Sequence, residues 1–326
     1  MTFLPDGRLL VTEMAGALRL HDLETGETGR IEGVSDVVHA GQGGLADVIL
    51  HPQFGDNQQI YISYVEAGEG GSGGVVALAR LALDENGGGE LEDLRVIWRQ
   101  TPKLSGDGHF GLRIAFDNDG MLWISSSERQ EFDPAQDMTG NLGKMVRLNA
   151  DGSVPEDNPF TDQGEVAVQV WSLGHRNILG MAFDAEGRLW AHEMGPRGGD
   201  ELNLIQRGAN YGYPIVSNGV HYDAGPFPIT TPVRSLMRRP SAGRRRFHRQ
   251  ASLSMTASFF RSGKAAVLSA ASHLSGWCVS SSMEKAPVRR NALTCSVAYV
   301  RSHRDRTVPS GYWKMAGAEA TVRCSS

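Results

Sequence analysis

Three stretches of this chain share one form: "LPDGRLLVTE" (Leu4 to Glu13), "FDNDGMLWIS" (Phe116 to Ser125) and "FDAEGRLWAHE" (Phe183 to Glu193). In each, an acidic residue and a glycine make a turn that runs into a short strand of Leu or Trp with small or branched residues. The Asp-Gly or Glu-Gly step supplies the positive φ that a tight hairpin requires. A unit that returns once per several strands is the sequence form of a β-propeller blade; the alternative is three ordinary hairpins of an unrelated sandwich. The 40 glycines among 326 residues, and the scarcity of helix-type apolar stripes, favour many short strands joined by tight turns. That length has room for one large β domain or two smaller ones.

Charge divides the chain. Up to Ile229 there are 34 Asp and Glu against 15 Lys and Arg; from Thr230 onward there are 3 against 17. We therefore treat residues 1–229 as the propeller-like part and residues 230–326 as a basic, Ser/Arg-rich tail. The tail shows neither strand nor helix period, and its composition is that of a segment unable to bury a core. A basic tail also raises nucleic-acid binding, but no aromatic residues interleave with the arginines as stacking platforms, and we expect no nucleic-acid partner. Cys278, Cys295 and Cys324 all lie in the tail, in odd number and without zinc spacing. No apolar run is long enough to span a bilayer. The opening "MTFLPDGRLLVTE" lacks a basic segment followed by an apolar one, so no signal peptide is visible and the chain starts inside a strand.

The loops between the repeats hold the polar residues. In "HAGQGGLADVILHPQF" the glycines allow close backbone approach to a ligand around Gln42. "GDGHFGLRIAF" sets His109 on a Gly-flanked turn before a strand, where a neutral imidazole can act as a general base near pH 7; the alternative is a solvated loop histidine. "SLGHRNILGM" brings His175, Arg176 and Asn177, a guanidinium fork for carboxylates beside an amide that can bond a carbonyl edge. In "HEMGPRGGDE" the carbonyls of Gly195 and Pro196, with Asp200 and Glu201, form a hard-oxygen set that suits calcium rather than zinc; the alternative is a capped turn with solvated acids.

Taken in order, "FLPDGRLLVTE", "GQGGLADVILHPQF", "GHFGLRIAF", "DGSVPEDNPF", "WSLGHRN", "LWAHEMGPRGGDELNLI" and "GANYGYP" closely resemble the soluble quinoprotein glucose/sorbosone dehydrogenases. These aldose sugar dehydrogenases use pyrroloquinoline quinone (PQQ). The resemblance covers roughly Met1 to Gly225 and implies an all-β, six-bladed propeller, incomplete here, with about five recognisable blades. It implies oxidation of the anomeric hydroxyl of an aldose to the lactone, with His109 as the base and an external electron acceptor. It places Gln42, Arg176 and Asn177 on PQQ, whose three carboxylates explain the Arg. The carbonyls of Gly195 and Pro196 fall on a catalytic calcium, and Glu201 and Tyr211 on a second, structural calcium. It also implies a periplasmic or secreted protein, although the chain as written would stay in the cytoplasm.

Two departures from the family follow. Its export signal and first strand are absent, and its closing blades are unrecognisable after about Ile229. A shifted reading frame accounts for the second. Reading each third base with the next two lets "FHRQAS" (Phe247 to Ser252) encode "SPAGL" and "SFFRSG" (Ser258 to Gly263) encode "FPEW". "DRTVPSGYWKM" (Asp305 to Met315) then encodes "PDGAIWLLED", the blade repeat again, and Trp313 before Lys314 forces its Glu. We read the tail as the product of a shift between about Ile229 and Arg238. Cofactor-contacting basic residues of the family fall in the lost region, so the rival reading is a catalytically silent propeller acting at most as a binding module.

Overall fold

The structure, a computed structural model, describes residues 1–220 except Asn86, Gly198 and Asn218. The tail from Thr230, and the expectations placed on it, lie outside the described residues. Fifteen strands group into four antiparallel blades. The first holds β1 (Thr2–Phe3), β2 (Leu9–Glu13), β3 (Ala17–His21) and β4 (Thr28–Glu32). The second holds β5 (Leu45–Leu50), β6 (Gln59–Gly68), β7 (Gly71–Leu83) and β8 (Gly89–Arg99). The third holds β9 (Gly111–Phe116), β10 (Leu122–Ser126), β11 (Lys144–Leu148) and β12 (Val170–Leu173), and the fourth β13 (Ile178–Phe183), β14 (Leu189–Glu193) and β15 (Glu201–Leu204). The first two share a short parallel contact, Ile31 opposite Gly89 and Glu32 opposite Glu90, at their outer strands. β2 packs on β5, β5 on β9 and β9 on β13, so successive blades stack through β2 of the first and the leading strands of the other three. This is an incomplete β-propeller. Four blades stand among the described residues, one fewer than the five expected from the sequence.

The repeats explain the hairpins. Gly7, Gly120 and Gly187 have φ of 92°, 79° and 76°, the left-handed conformation only glycine adopts without cost. In the third and fourth blades an Asp three residues earlier secures the turn. One Asp117 oxygen accepts from the backbone N–H of Asp119 and Met121, and the other from Trp123 Nε1 at 2.8 Å. Asp184 does the same for Glu186, Arg188 and Trp190. The first blade has Leu4 and Leu10 at the Asp and Trp positions, both buried. There an apolar contact replaces the polar one.

Strands covered on both faces by neighbouring blades read as continuous apolar runs rather than alternations. In β6, Ile60, Ile62 and Tyr64 join Leu10, Leu18 and Leu20 of the first blade. Tyr61 and Val65, pointing the other way, join Leu112, Ile114, Leu122 and Ile124 of the third. Trp123 and Met145 then pack against Ile178, Leu189 and Ala191 of the fourth. The antiparallel hairpins have a further consequence. The entry to each leading strand and the exit of its neighbour fall at the same end of a blade, and the polar loops are found there.

Candidate active site

His109 lies two residues before β9, and Glu128 two residues after β10. The hairpin brings them together. His109 Nδ1 sits 2.5 Å from Glu128 Oε1, with His109 2% and Glu128 0% exposed. A carboxylate only accepts, so this nitrogen carries the proton and Nε2 keeps the basic lone pair. Nε2 has no partner among the described residues. The His109 N–H donates to Gln42 Oε1 at 2.9 Å, and the Glu128 N–H to the Arg176 carbonyl at 3.0 Å. Gln42, His109 and Arg176 are thereby joined through one set of hydrogen bonds.

The fourth blade repeats the pairing to a different end. His175 Nδ1 meets Glu193 Oε1 at 2.7 Å, but its Nε2 is taken by Ser172 Oγ at 2.8 Å, and its ring stacks on Tyr211. Burial pushes the Glu193 carboxyl up, but His175, the Arg176 N–H and Asn203 hold it below its ordinary value on balance. His175 is thus a saturated structural histidine, whereas His109 has a nitrogen to spare.

Arg176 is 8% exposed; its Nη1 donates to the Met194 carbonyl at 2.6 Å, and its guanidinium carbon lies 5.9 Å from the Tyr213 ring centre. Its Nε, and both amide atoms of the fully buried Asn177, have no hydrogen-bond partner among the described residues. Each such orphan costs about 1–3 kcal/mol unless something fills it. A guanidinium with an unused Nε–H beside an amide with both atoms unused fits a ligand that carries carboxylate and carbonyl oxygens.

Arg176, Gly195, Pro196, Glu201 and Tyr211 line one cavity, with Glu193 and Tyr213. Gln42, His109 and Asn177 are not in that lining and connect to it through Glu128 and Arg176. The Gly195 N–H donates to Asp200 Oδ1 at 3.1 Å, and the Pro196 carbonyl accepts from the Gly199 N–H at 2.8 Å, leaving that oxygen one lone pair. A Cβ on Gly195 would run into the Gly199 backbone, so the turn admits only glycine there. Asn203 Nδ2 bridges Glu193 and Glu201 at 3.0 and 3.2 Å, and Tyr211 donates its hydroxyl to the Leu204 carbonyl. Among the described residues no three His, Cys, Asp or Glu side chains gather as a metal set. Glu128, Glu193 and Tyr213 are the functional neighbours that the sequence reading missed. The available signal was an acid at the exit of the second strand after each loop histidine.

Residues 1–299 match the family model described as Glucose / Sorbosone dehydrogenase. The chain belongs to this family. It is 41% identical over 231 residues to "Aldose sugar dehydrogenase YliI" of Escherichia coli K12, covering 70% of this chain and 62% of that protein. A crystal structure of a glucose dehydrogenase superposes with a TM-score of 0.66 at 44% identity, over 70% of this chain and 66% of that one. The PQQ-bound form of the aldose sugar dehydrogenase from Streptomyces coelicolor gives 0.57 at 31% identity, over 69% and 64%. The chain therefore spans about 62% of that curated relative's length. That relative and both structures are glucose or aldose sugar dehydrogenases. Among the described residues no helix is long and apolar enough to cross a membrane.

Proposed function

We propose that this chain is built to oxidise the anomeric hydroxyl of an aldose to the lactone, with PQQ as cofactor and calcium beside it. The observation that carries the reading is the asymmetry of the two histidines. Of the two, His109 has its Nδ1 fixed by a buried carboxylate and its Nε2 without a partner among the described residues, and its partner Glu128 donates its N–H to the Arg176 carbonyl. Bound PQQ supplies the two-electron acceptor, which an external acceptor later empties, and calcium supplies a Lewis acid. Gln42, Arg176 and Asn177 are the residues that would hold PQQ, and the Gly195 and Pro196 carbonyls the calcium. Glu201 and Tyr211 would serve the second, structural cation.

The chain's own part is proton chemistry. His109 Nε2 takes the proton of the anomeric hydroxyl as the C–H bond yields its hydride, leaving a carbonyl carbon. Glu128, holding Nδ1–H, fixes the tautomer and stabilises the imidazolium that results. Burial of both side chains keeps water from competing for that proton.

The purified chain should be reconstituted with PQQ and calcium, and aldose oxidation followed with a dye acceptor. We expect PQQ-dependent dye reduction that His109→Ala lowers by about two orders of magnitude or more, the usual share of a positioned base. Unchanged turnover in His109→Ala removes His109 from the chemistry. PQQ binding without any turnover leaves a silent binding module instead.

A further inference from the structure

Arg129 follows Glu128 directly and is 2% exposed, yet every hydrogen bond of its guanidinium goes to a backbone carbonyl. Nε donates to Gly108 at 3.0 Å, Nη1 to Ser72 at 2.7 Å, and Nη2 to Leu104 and Gly106. The Arg129 N–H donates to the His109 carbonyl at 3.2 Å, and the Phe110 ring lies 3.8 Å from the guanidinium carbon. One side chain and its own amide thus hold the segment from Leu104 to Phe110, which carries His109.

This arrangement is costly in two ways. Burying a cation whose hydrogen bonds all go to neutral carbonyls is unfavourable, and burial pulls the Arg129 pKa down to about 10, with Asp107, Glu131 and Glu128 opposing. In addition, His109, Arg129 and Gln130 take φ of 49°, 62° and 66°, left-handed values that non-glycine residues hold only where the surroundings impose them. Both costs fall on the two loops that bring the histidine to its carboxylate.

We propose that Arg129 is a positioning residue for the base: its guanidinium clamps the carbonyls leading into His109, so that Nδ1 meets Glu128. The clamp rests on the reading of His109 as the base, and its test separates the two. A lysine keeps the charge but not the planar fork, and a glutamine keeps neither.

The full chain, with ¹⁵N-labelled histidine, offers a direct signature. Each carboxylate-bonded imidazole should give a strongly downfield N–H proton, one from His109 and one from His175, assigned by His109→Ala and His175→Ala. In Arg129→Gln we expect the His109 signal to vanish while the His175 signal persists, and in Arg129→Lys we expect the His109 signal weakened. In reconstituted protein, kcat should fall about tenfold or more in Arg129→Gln with KM for the sugar nearly unchanged, as expected for a misplaced catalytic group. A His109 signal that is missing from the wild-type chain, or that survives intact in Arg129→Gln, overturns the clamp. Loss of both signals in both variants reduces Arg129 to a folding residue and overturns it equally. If the signals behave as expected but His109→Ala turns over normally, the catalytic reading fails and the clamp stands.

Discussion

Lys144, at the start of β11, shows how far one environment can move a residue from its ordinary chemistry. Its ammonium is fully buried and donates to the carbonyls of Pro134, Leu142 and Ala135 at 2.7, 2.8 and 3.1 Å. Burial pulls its pKa down to about 7, with Asp137 opposing. The unfolded chain, whose lysine titrates near its usual value, therefore binds more protons than the folded protein between about pH 7 and that value. Stability must rise with pH across this window, by up to about 1.4 kcal/mol per pH unit, and the full penalty applies below it. Urea denaturation of the wild type and Lys144→Met at pH 7 and 9 isolates the group. The difference in unfolding free energy should move in favour of the wild type at the higher pH. An unchanged difference would mean that Lys144 keeps its proton inside the fold.

Among the elements, the hairpin carries the most information per residue. Asp117 satisfies three donors with one side chain, among them the indole of Trp123, itself wedged between the third and fourth blades. Asp117→Ala should cost about 2 kcal/mol, because it leaves those donors unpaired in a partly buried turn. Asp119→Ala, at an exposed position two residues on, should change stability by less than about 0.5 kcal/mol. Thermal denaturation of the two variants would check both values, and equal losses would contradict the assignment. These turns could be read from the sequence because their cause is local: an acidic residue followed directly by a glycine that takes positive φ. The pairing of β4 with β8, and the burial of β6 on both faces, depend on neighbours far along the chain and leave no such mark. The site divides the same way. His109, Gln42 and Arg176 stand in glycine-rich loops that the family resemblance picks out. Glu128 and Arg129 sit in "SSSERQ", which reads as an ordinary polar loop until the hairpin folds the exit of β10 back onto the entry of β9.

For the molecule as a whole, the extent of the family match is the open quantity. The family model runs to residue 299, whereas the alignment with the Escherichia coli relative takes in 70% of the chain. Charge gives a physical reason to side with the shorter extent. The sign reverses at about Ile229, from 34 acids against 15 bases to 3 against 17. Three of the four blades described above carry an acidic-Gly turn of the repeated form, and the residues from Thr230 onward contain no Asp-Gly or Glu-Gly step. We propose that a frame shifted between about Ile229 and Arg238 accounts for the charge reversal and for the lack of Asp-Gly steps together. Resequencing the gene across the codons for Ile229 to Arg238 should reveal one base too many or too few. Correcting it should yield "SPAGL", "FPEW" and "PDGAIW" in that order, the last with the turn and strand of the upstream repeats. The corrected protein should also bind PQQ more tightly than the chain as given, because it regains basic residues that the family resemblance places on the cofactor. A confirmed frame, or equal PQQ affinity in the two proteins, would make residues 230–326 a genuine divergent segment and shift the cofactor's binding energy onto Gln42, Arg176 and Asn177.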